Sequence, residues 1–352
     1  MEGPKGSLGQ AFSTVLFVNS YRFVIRNSYI RTDSYFVAMK KIKFIEVKSE
    51  VGAGTRGASL GIDALKIAAL DYGSNLFSKM PSVEVQVENS ALFEPPGITP
   101  YAKRIRPLVK IYERIANTVR STIRNNEFPI VLAGDHSTAG ATIAGVKMAY
   151  PKQRIGVIWI DAHADLHSPW TSPSGNTHGM PLAASLNEDN STNKINKPDK
   201  ETIELWTQLK RTGGIAPKVS WDDIVLISLR DVEPEEQYLL KKYKVKIFTT
   251  AEVKRNGVEK IARDTLAHLF KCQQIYISFD VDSMDSSISK GTGTPVRNGI
   301  TEKEAGSLLV RLIQNEKICC FEIAEINPTL DKENLMAENT FEILQRVVSQ
   351  LT

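Results

Sequence analysis

Four short apolar runs in this chain each stop abruptly at acids or imidazoles. Pro129-Ile-Val-Leu-Ala leads into Gly134-Asp-His136-Ser, and Arg154-Ile-Gly-Val-Ile-Trp-Ile leads into Asp161-Ala-His163-Ala-Asp165-Leu-His167. Gln274-Ile-Tyr-Ile-Ser-Phe leads into Asp280-Val-Asp282, and Cys319-Cys-Phe-Glu-Ile-Ala leads into Glu325-Ile-Asn-Pro. Helical patterns separate them, over 137–150, 258–269 and 301–314, the last opening on the capping box Thr301-Glu-Lys-Glu304. Nearly continuous apolar strands alternating with helices predict a parallel sheet covered on both faces. In such sheets the ligand crevice lies beyond the carboxyl ends of the strands. Every chemical cluster here falls at a carboxyl end, so pattern and site placement agree.

Further elements fit the same plan. A strand begins near Met39-Lys-Lys-Ile-Lys-Phe-Ile-Glu-Val, then Gly52, Gly54 and Gly57 read as a tight turn into a helix over 61–71. Apolar residues at three- and four-residue intervals predict an amphipathic helix over 101–125. Ile224-Val-Leu-Ile-Ser-Leu delivers Arg230-Asp231-Val-Glu233, with Arg230 and Asp231 read as a local ion pair, and 335–351 reads as a closing helix. The polar stretch 186–223, with a helical piece over 201–211, is long enough to predict part of the site's rim. Residues 1–38 lack a clean cleavage site and read as an extension without chemistry, leaving 39–352 as a single catalytic domain.

Composition excludes other classes. With 44 basic and 40 acidic side chains the formal charge is only +4, and no basic, aromatic-interleaved patch suggests nucleic acid. No apolar run approaches the length needed to span a bilayer. Cys272, Cys319 and Cys320 are odd in number and lack framework spacing, which argues for a reducing, cytoplasmic setting.

The strand-end donors are His136, Asp161, His163, Asp165, Asp280 and Asp282. Side chains two apart on an extended chain share a face, so Asp161, His163 and Asp165 are expected to converge. Oxygen and imidazole donors without thiolate suit manganese or magnesium, and cobalt and nickel can use them too. Six ligands suit two ions with shared carboxylates, where a bridging water becomes a hydroxide nucleophile near neutral pH. The four aspartates carry −4 against +4 for two divalent ions, and Glu325 is a spare carboxylate for a cationic substrate. Taken singly, His136 could instead cap the following helix, and His178 could be merely solvated. Asp135 reads as a helix-start acid, His268 as structural and Asp285 as a turn residue.

Five motifs, Gly134-Asp-His136-Ser, Asp161-Ala-His163-Ala-Asp165, Ser174-Gly-Asn176-Thr-His178-Gly, Ser278-Phe-Asp280-Val-Asp282 and Glu325-Ile-Asn-Pro, appear in the order found in the ureohydrolases. Ser-Gly-Asn-x-His-Gly-Met-Pro and Gly293-Thr294-Pro295-Val resemble arginase rather than agmatinase, and the resemblance covers roughly 39–350. It implies a three-layer α/β/α fold of the arginase/deacetylase kind on a mostly parallel sheet of about eight strands. It also implies two Mn2+ ions per subunit, one on His136, Asp161, Asp165 and Asp280, the other on Asp161, His163, Asp280 and Asp282. The implied reaction is attack of the bridging hydroxide on the guanidinium of L-arginine, giving L-ornithine and urea.

By the same resemblance Asp165 orients the nucleophile, His178 shuttles protons to the leaving amine, and Glu325 pairs with the guanidinium. Ser174 and Asn176 match contacts to the α-carboxylate, Glu233 and Glu236 lie where acids meet the α-amino group, and Thr294 lines the site. A homo-oligomer, trimer or hexamer, is expected. Two positions depart from the pattern. His167 stands where many arginases carry an asparagine that holds the α-carboxylate, and Glu233 where an aspartate is common. Agmatine or another guanidino compound is therefore the alternative substrate, and a metal-holding regulatory protein without activity is the alternative of another class.

Overall fold

Apolar strands and intervening helices fold into one eight-stranded sheet in which every pairing is parallel. The structure is a computed structural model describing residues 40–94 and 99–352. The expected extension over 1–38 lies outside the described residues. In chain order the elements are β1 (Lys41–Val47), α1 (Gly61–Asp71), α2 (Leu76–Lys79), β2 (Ser82–Glu84), α3 (Ile105–Arg124), β3 (Glu127–Ala133), α4 (Ala139–Ala149) and β4 (Ile155–Ile160). Then come α5 (Pro181–Leu186), α6 (Lys200–Lys210), β5 (Ile224–Leu229), α7 (Pro234–Lys242), β6 (Lys246–Thr249), α8 (Thr250–Asn256), α9 (Val258–His268), β7 (Gln274–Asp280), α10 (Glu302–Ile313), β8 (Ile318–Ala324) and α11 (Leu335–Val348).

Alternation of side chains across the pleat divides the apolar residues between two cores. Phe44, Ile158, Ile160, Ile277, Phe279 and Phe321 pack with α1, α9, α10 and α11 on one face. Val131, Val157, Trp159, Leu226, Tyr276 and Cys320 pack with α3, α4, α5, α6 and α7 on the other. This is the expected three-layer α/β/α arrangement. The helices begin and end where their sequences direct. The α3 face carries buried Ile105, Leu108, Ile111, Tyr112, Ile115 and Val119, a helical stripe. Asn126, in the left-handed region at φ 59°, turns the chain out of α3 toward β3. At α10 the Thr301 hydroxyl accepts the Glu304 N–H (3.1 Å) while Glu304 accepts the Thr301 N–H (2.8 Å), a reciprocal cap contributing about 1 kcal/mol.

The two strands that the sequence pattern leaves unnamed are the outermost, β2 and β6, of three and four residues. Strand order is β2-β1-β3-β8-β7-β4-β5-β6. The chain runs from β3 to β4 across a gap later filled by β7 and β8. The four strands that end in acids and imidazoles are thereby neighbours at the centre of the sheet, with β5 beside them. Arg230 does not form the expected ion pair with Asp231. Its guanidinium donates to the carbonyls of Ser228 (3.0 Å), Asp282 (2.7 Å) and Val296 (3.1 Å), tying the loop after β7 to the end of β5. Five planar donors are better met by converging carbonyls than by one adjacent carboxylate.

At the end of β3 the backbone comes close to its neighbour. A Cβ on Gly134 would lie 2.2 Å from the Ser49 carbonyl oxygen, and Glu325 N–H donates to the Gly134 carbonyl at 2.8 Å. Gly134→Ala is therefore expected to lower stability by about 1–3 kcal/mol with the circular dichroism spectrum retained. A urea midpoint equal to the parent's would contradict the close approach.

Candidate active site

The six donors expected from the strand ends do come together. His136 Nδ1 lies 3.2 Å from Asp161 Oδ2, 3.1 Å from Asp165 Oδ2 and 3.1 Å from Asp280 Oδ2. His163 Nδ1 lies 3.0 Å from Asp282 Oδ2 and 3.5 Å from Asp161 Oδ1. Five of the six form two adjacent groups, His136 with Asp161 and Asp280 and His163 with Asp161 and Asp282, so that Asp161 is common to both; Asp165 joins the first through His136. The convergence does not arise from strand alternation, because β4 ends at Ile160. Asp161 accepts the His163 N–H at 2.7 Å in a local turn, and Asp165 takes left-handed backbone at φ 50°. This bend carries Asp165 to the His136 side and leaves His163 facing Asp282. Glu325 is also left-handed, at φ 70°; non-glycine residues in that region cost on the order of 1 kcal/mol.

Neighbours fix these donors. The other His136 nitrogen, Nε2, is 2.7 Å from Ser278 Oγ, and the ring stacks on Trp159 with centroids 4.3 Å apart. The Trp159 indole N–H reaches Asp161 at 3.0 Å. Ala162 N–H donates to Asp282 (3.1 Å), Asp282 N–H to Asp280 (2.8 Å) and the Thr294 hydroxyl to Asp282 (3.1 Å). Asp135 acts as a helix-start acid, accepting N–H groups from Ser137 and Gly52.

Electrostatics and donor chemistry indicate what the cluster suits. Burial, with help from Asp161, drives the Asp280 and Asp282 carboxyls up, and burial also holds Asp165 at about 6. Burial opposes the His136 imidazolium, yet contacts with Asp161, Asp165 and Asp280 raise its pKa well above the usual range. Among the described residues buried His136 Nδ1 has no hydrogen-bond partner, although three carboxylate oxygens surround it. Four carboxylates and two imidazoles without sulfur fit hard or borderline divalent cations, and the shared Asp161 fits two of them.

A cavity of about 400 Å³ opens over this cluster. His136, His163, Asp165, Asp280 and Asp282 line it, together with His167, Ser174, Asn176, His178, Glu233, Glu236 and Thr294. Asp161 and Glu325 are not in the wall; both are almost fully buried behind it. Glu325 Oε1 accepts the His136 N–H at 2.9 Å and lies 3.1 Å from His178 Nδ1, whereas Oε2 has no partner. Burial opposes the charged His178, but Glu325 outweighs it and lifts the imidazole to about 9.

The segment 186–223 contributes nothing to the lining, contrary to its expected place on the rim. Its apolar Leu205, Trp206 and Leu209 draw α6 into the core beside α3. Asp189 anchors the rest, accepting from Trp206 Nε1 (2.7 Å) and Lys210 Nζ (2.5 Å). The sequence pattern also did not reveal that the glycine turn after β1 abuts the site. His178 N–H donates to the Gly52 carbonyl at 3.2 Å, and a Cβ on Gly54 would lie 2.6 Å from the Asn176 amide. Asp231, expected to face Arg230, instead has Oδ2 3.6 Å from His163 Nε2.

A parallel three-layer sheet with this ordered donor set at its carboxyl edge defines a hydrolase of the ureohydrolase type. The chain belongs to the Arginase family, whose sequence model matches residues 40–351. It is 32% identical to an arginase of Brevibacillus brevis over 320 residues, 88% of this chain and 97% of that one. The native arginase structure from Bacillus caldovelox superposes with a TM-score of 0.76 at 31% identity, covering 88% of this chain and 98% of the other. An Entamoeba histolytica arginase solved with L-ornithine gives 0.74 at 26% identity, covering 89% and 98%.

The His178–Glu325 contact makes stability depend on pH in a defined direction. The folded pKa of about 9 exceeds the ordinary value near 6.5, so the contact's contribution is full below pH 6.5 and is lost as pH rises through 9. In metal-free protein, His178→Gln is expected to cost on the order of 3 kcal/mol at pH 6.5 and much less at pH 10. Urea titrations of both proteins at the two pH values measure this, and a constant difference between them would refute it.

Proposed function

We propose that this cavity hydrolyses the guanidino group of L-arginine to L-ornithine and urea with two manganese ions per subunit. His136, Asp161, Asp165 and Asp280 would hold one ion, and Asp161, His163, Asp280 and Asp282 the other. The observation that carries the reading is the pair of donor groups sharing buried Asp161, with His136 Nδ1 left unpartnered among three carboxylates. When bound, two divalent cations supply an activated water nucleophile near neutral pH and a template for the substrate.

The protein's own groups do the rest. Glu325 Oε2 is buried and unpaired, and a carboxylate in that state is a strong acceptor for planar guanidinium N–H donors. Glu325 Oε1 keeps the His178 imidazole oriented and protonated at neutral pH. His178 therefore holds the proton that the departing amine needs when the C–N bond breaks. Asp165 stands beside His136, positioned to orient the attacking water. Glu233 and Glu236 offer charge to an α-ammonium, and Ser174 and Asn176 offer donors to an α-carboxylate. Together these ends favour arginine over agmatine, which has no carboxylate. L-ornithine, bound in the Entamoeba relative, is the product this reaction requires.

Free, buried Cys272, Cys319 and Cys320 support a cytoplasmic setting. Exposed Ile67, Leu70 and Tyr72 on and beside α1 support self-association as a homo-oligomer.

Urea release from L-arginine by manganese-loaded protein tests the reaction, with agmatine and guanidinobutyrate in parallel. Faster turnover of arginine is expected; no urea from any guanidino compound would leave only the regulatory alternative. His163→Ala should lose one of two bound manganese ions, and unchanged metal content would contradict the ligand assignment. His178→Asn should keep both ions and lower kcat about a hundredfold or more.

A further inference from the structure

His167, Glu233 and Glu236 form a second donor cluster on the cavity wall that shares no residue with the six-donor set. His167 is only 6% exposed, and Nδ1 lies 3.2 Å from the Thr171 hydroxyl. That hydroxyl also accepts the Ser168 N–H at 3.0 Å, so the ring is held from behind. The opposite nitrogen, Nε2, lies 3.3 Å from Glu233 Oε2 and 3.8 Å from Glu236 Oε2. Neither contact has hydrogen-bond geometry, and this buried nitrogen has no partner among the described residues. Glu236 is equally fixed. It is 1% exposed, with Oε1 accepting the Leu166 N–H (2.9 Å) and Oε2 the Glu233 N–H (3.3 Å). An imidazole anchored through one nitrogen, its other nitrogen free among oxygens, is the usual arrangement of a metal-ligating histidine.

We propose that His167 Nε2, Glu233 Oε2 and Glu236 Oε2 form a third cation site, for a borderline divalent ion of the zinc class, at the cavity wall. One imidazole and two carboxylates leave the fourth tetrahedral position for water on the cavity side. A tetrahedral ion with donors at about 2.0–2.1 Å has donor–donor edges of about 3.3–3.4 Å. The separations of 3.3 and 3.8 Å from Nε2 need only a small closing movement. The amino end of α7 opposes a cation with the equivalent of about half a positive charge, less than the charge of the two glutamates once the ion holds both as carboxylates. Resting on the reading of Glu233 and Glu236 as the α-amino subsite, the ion and the substrate's ammonium exclude one another.

The test loads the full chain with manganese, dialyses it against excess zinc and counts both metals by mass spectrometry. Wild type is expected to keep two manganese and gain one zinc per chain. His167→Asn and half-exposed Glu233→Gln should each gain almost none with manganese unchanged. No zinc uptake, zinc gained only by displacing manganese, or full uptake by both variants would overturn the proposal. Saturating L-ornithine should expel the added zinc. Retention of zinc alongside bound ornithine would overturn the α-amino reading while leaving the third site standing.

Discussion

Four aspartates buried on adjacent strand ends carry more negative charge than the protein around them can balance. Asp161, Asp165, Asp280 and Asp282 are each at least nine-tenths buried. Among the described residues the side-chain bases in contact with them are His136 and His163, and a histidine ligates a metal as a neutral ring. An uncompensated buried charge is among the costliest things a fold can hold. The upward drift of Asp280 and Asp282 expresses that cost as a reluctance to ionise. Two divalent cations would remove the imbalance and keep the carboxylates ionised. The backbone N–H groups aimed at Asp161, Asp280 and Asp282 hold those side chains in place meanwhile.

Bringing four such residues together is a problem of topology. A sheet with all strands parallel puts every carboxyl end on one edge, and the reversal of strand order between β3 and β4 opens a crevice there. Strands β8 and β7 enter that gap last and bring Glu325, Asp280 and Asp282 between His136 on one side and Asp161 on the other. Residues more than a hundred positions apart in the chain thus become neighbours. The guanidinium of Arg230 then secures the loop after β7 through carbonyls, so that the backbone behind Asp282 is held from the adjacent strand end.

Much of this was legible because the chemistry sits where the apolar pattern breaks. The core strands are continuous Ile, Val and Phe runs, and their ends are marked by Asp and His, so both the strand and its site signal coincide. β2 and β6 carry neither mark. They are short, partly exposed and free of site residues, as outer strands are when nothing pairs beyond them. The run Asp161-Ala-His163-Ala-Asp165 brings its side chains together, but not by the alternation its sequence suggests. Its alternation suggests extension, whereas the Asp161 side chain captures the His163 N–H and bends the chain. Tertiary partners such as Trp159 and Ser278 around His136 have no local pattern at all, since only the fold determines which side chain lies behind a ligand. The long polar stretch 186–223 reads as a rim from its length, yet the apolar face of α6 sends it into the helical layer instead.

The same logic separates the two ends of the cavity. At the six-donor end the side chains are fixed several times over, by backbone N–H groups, by a stacked indole and by a serine behind His136. At the Glu233 end His167 Nδ1 and both Glu236 oxygens are anchored, whereas His167 Nε2 has no hydrogen-bond partner among the described residues. Glu233 and Glu236 are pulled apart, the first held near 2 by its contact with His167 and the second raised to about 8 by burial. Carboxylates in such different surroundings do not behave as a uniform acidic wall. A nearby cation favours the ionised form of buried Glu236, while the contact with His167 already favours the ionised form of half-exposed Glu233. Recognition at this end therefore depends on the cation that is offered, and an ammonium on the right stem meets one charged oxygen at Glu233 and a second at Glu236 once that carboxyl has released its proton to solvent. Such a subsite selects for a positive group that can be brought close and desolvated; on the proposed reading, an α-ammonium whose own carboxylate is held by Ser174 and Asn176 would be such a group.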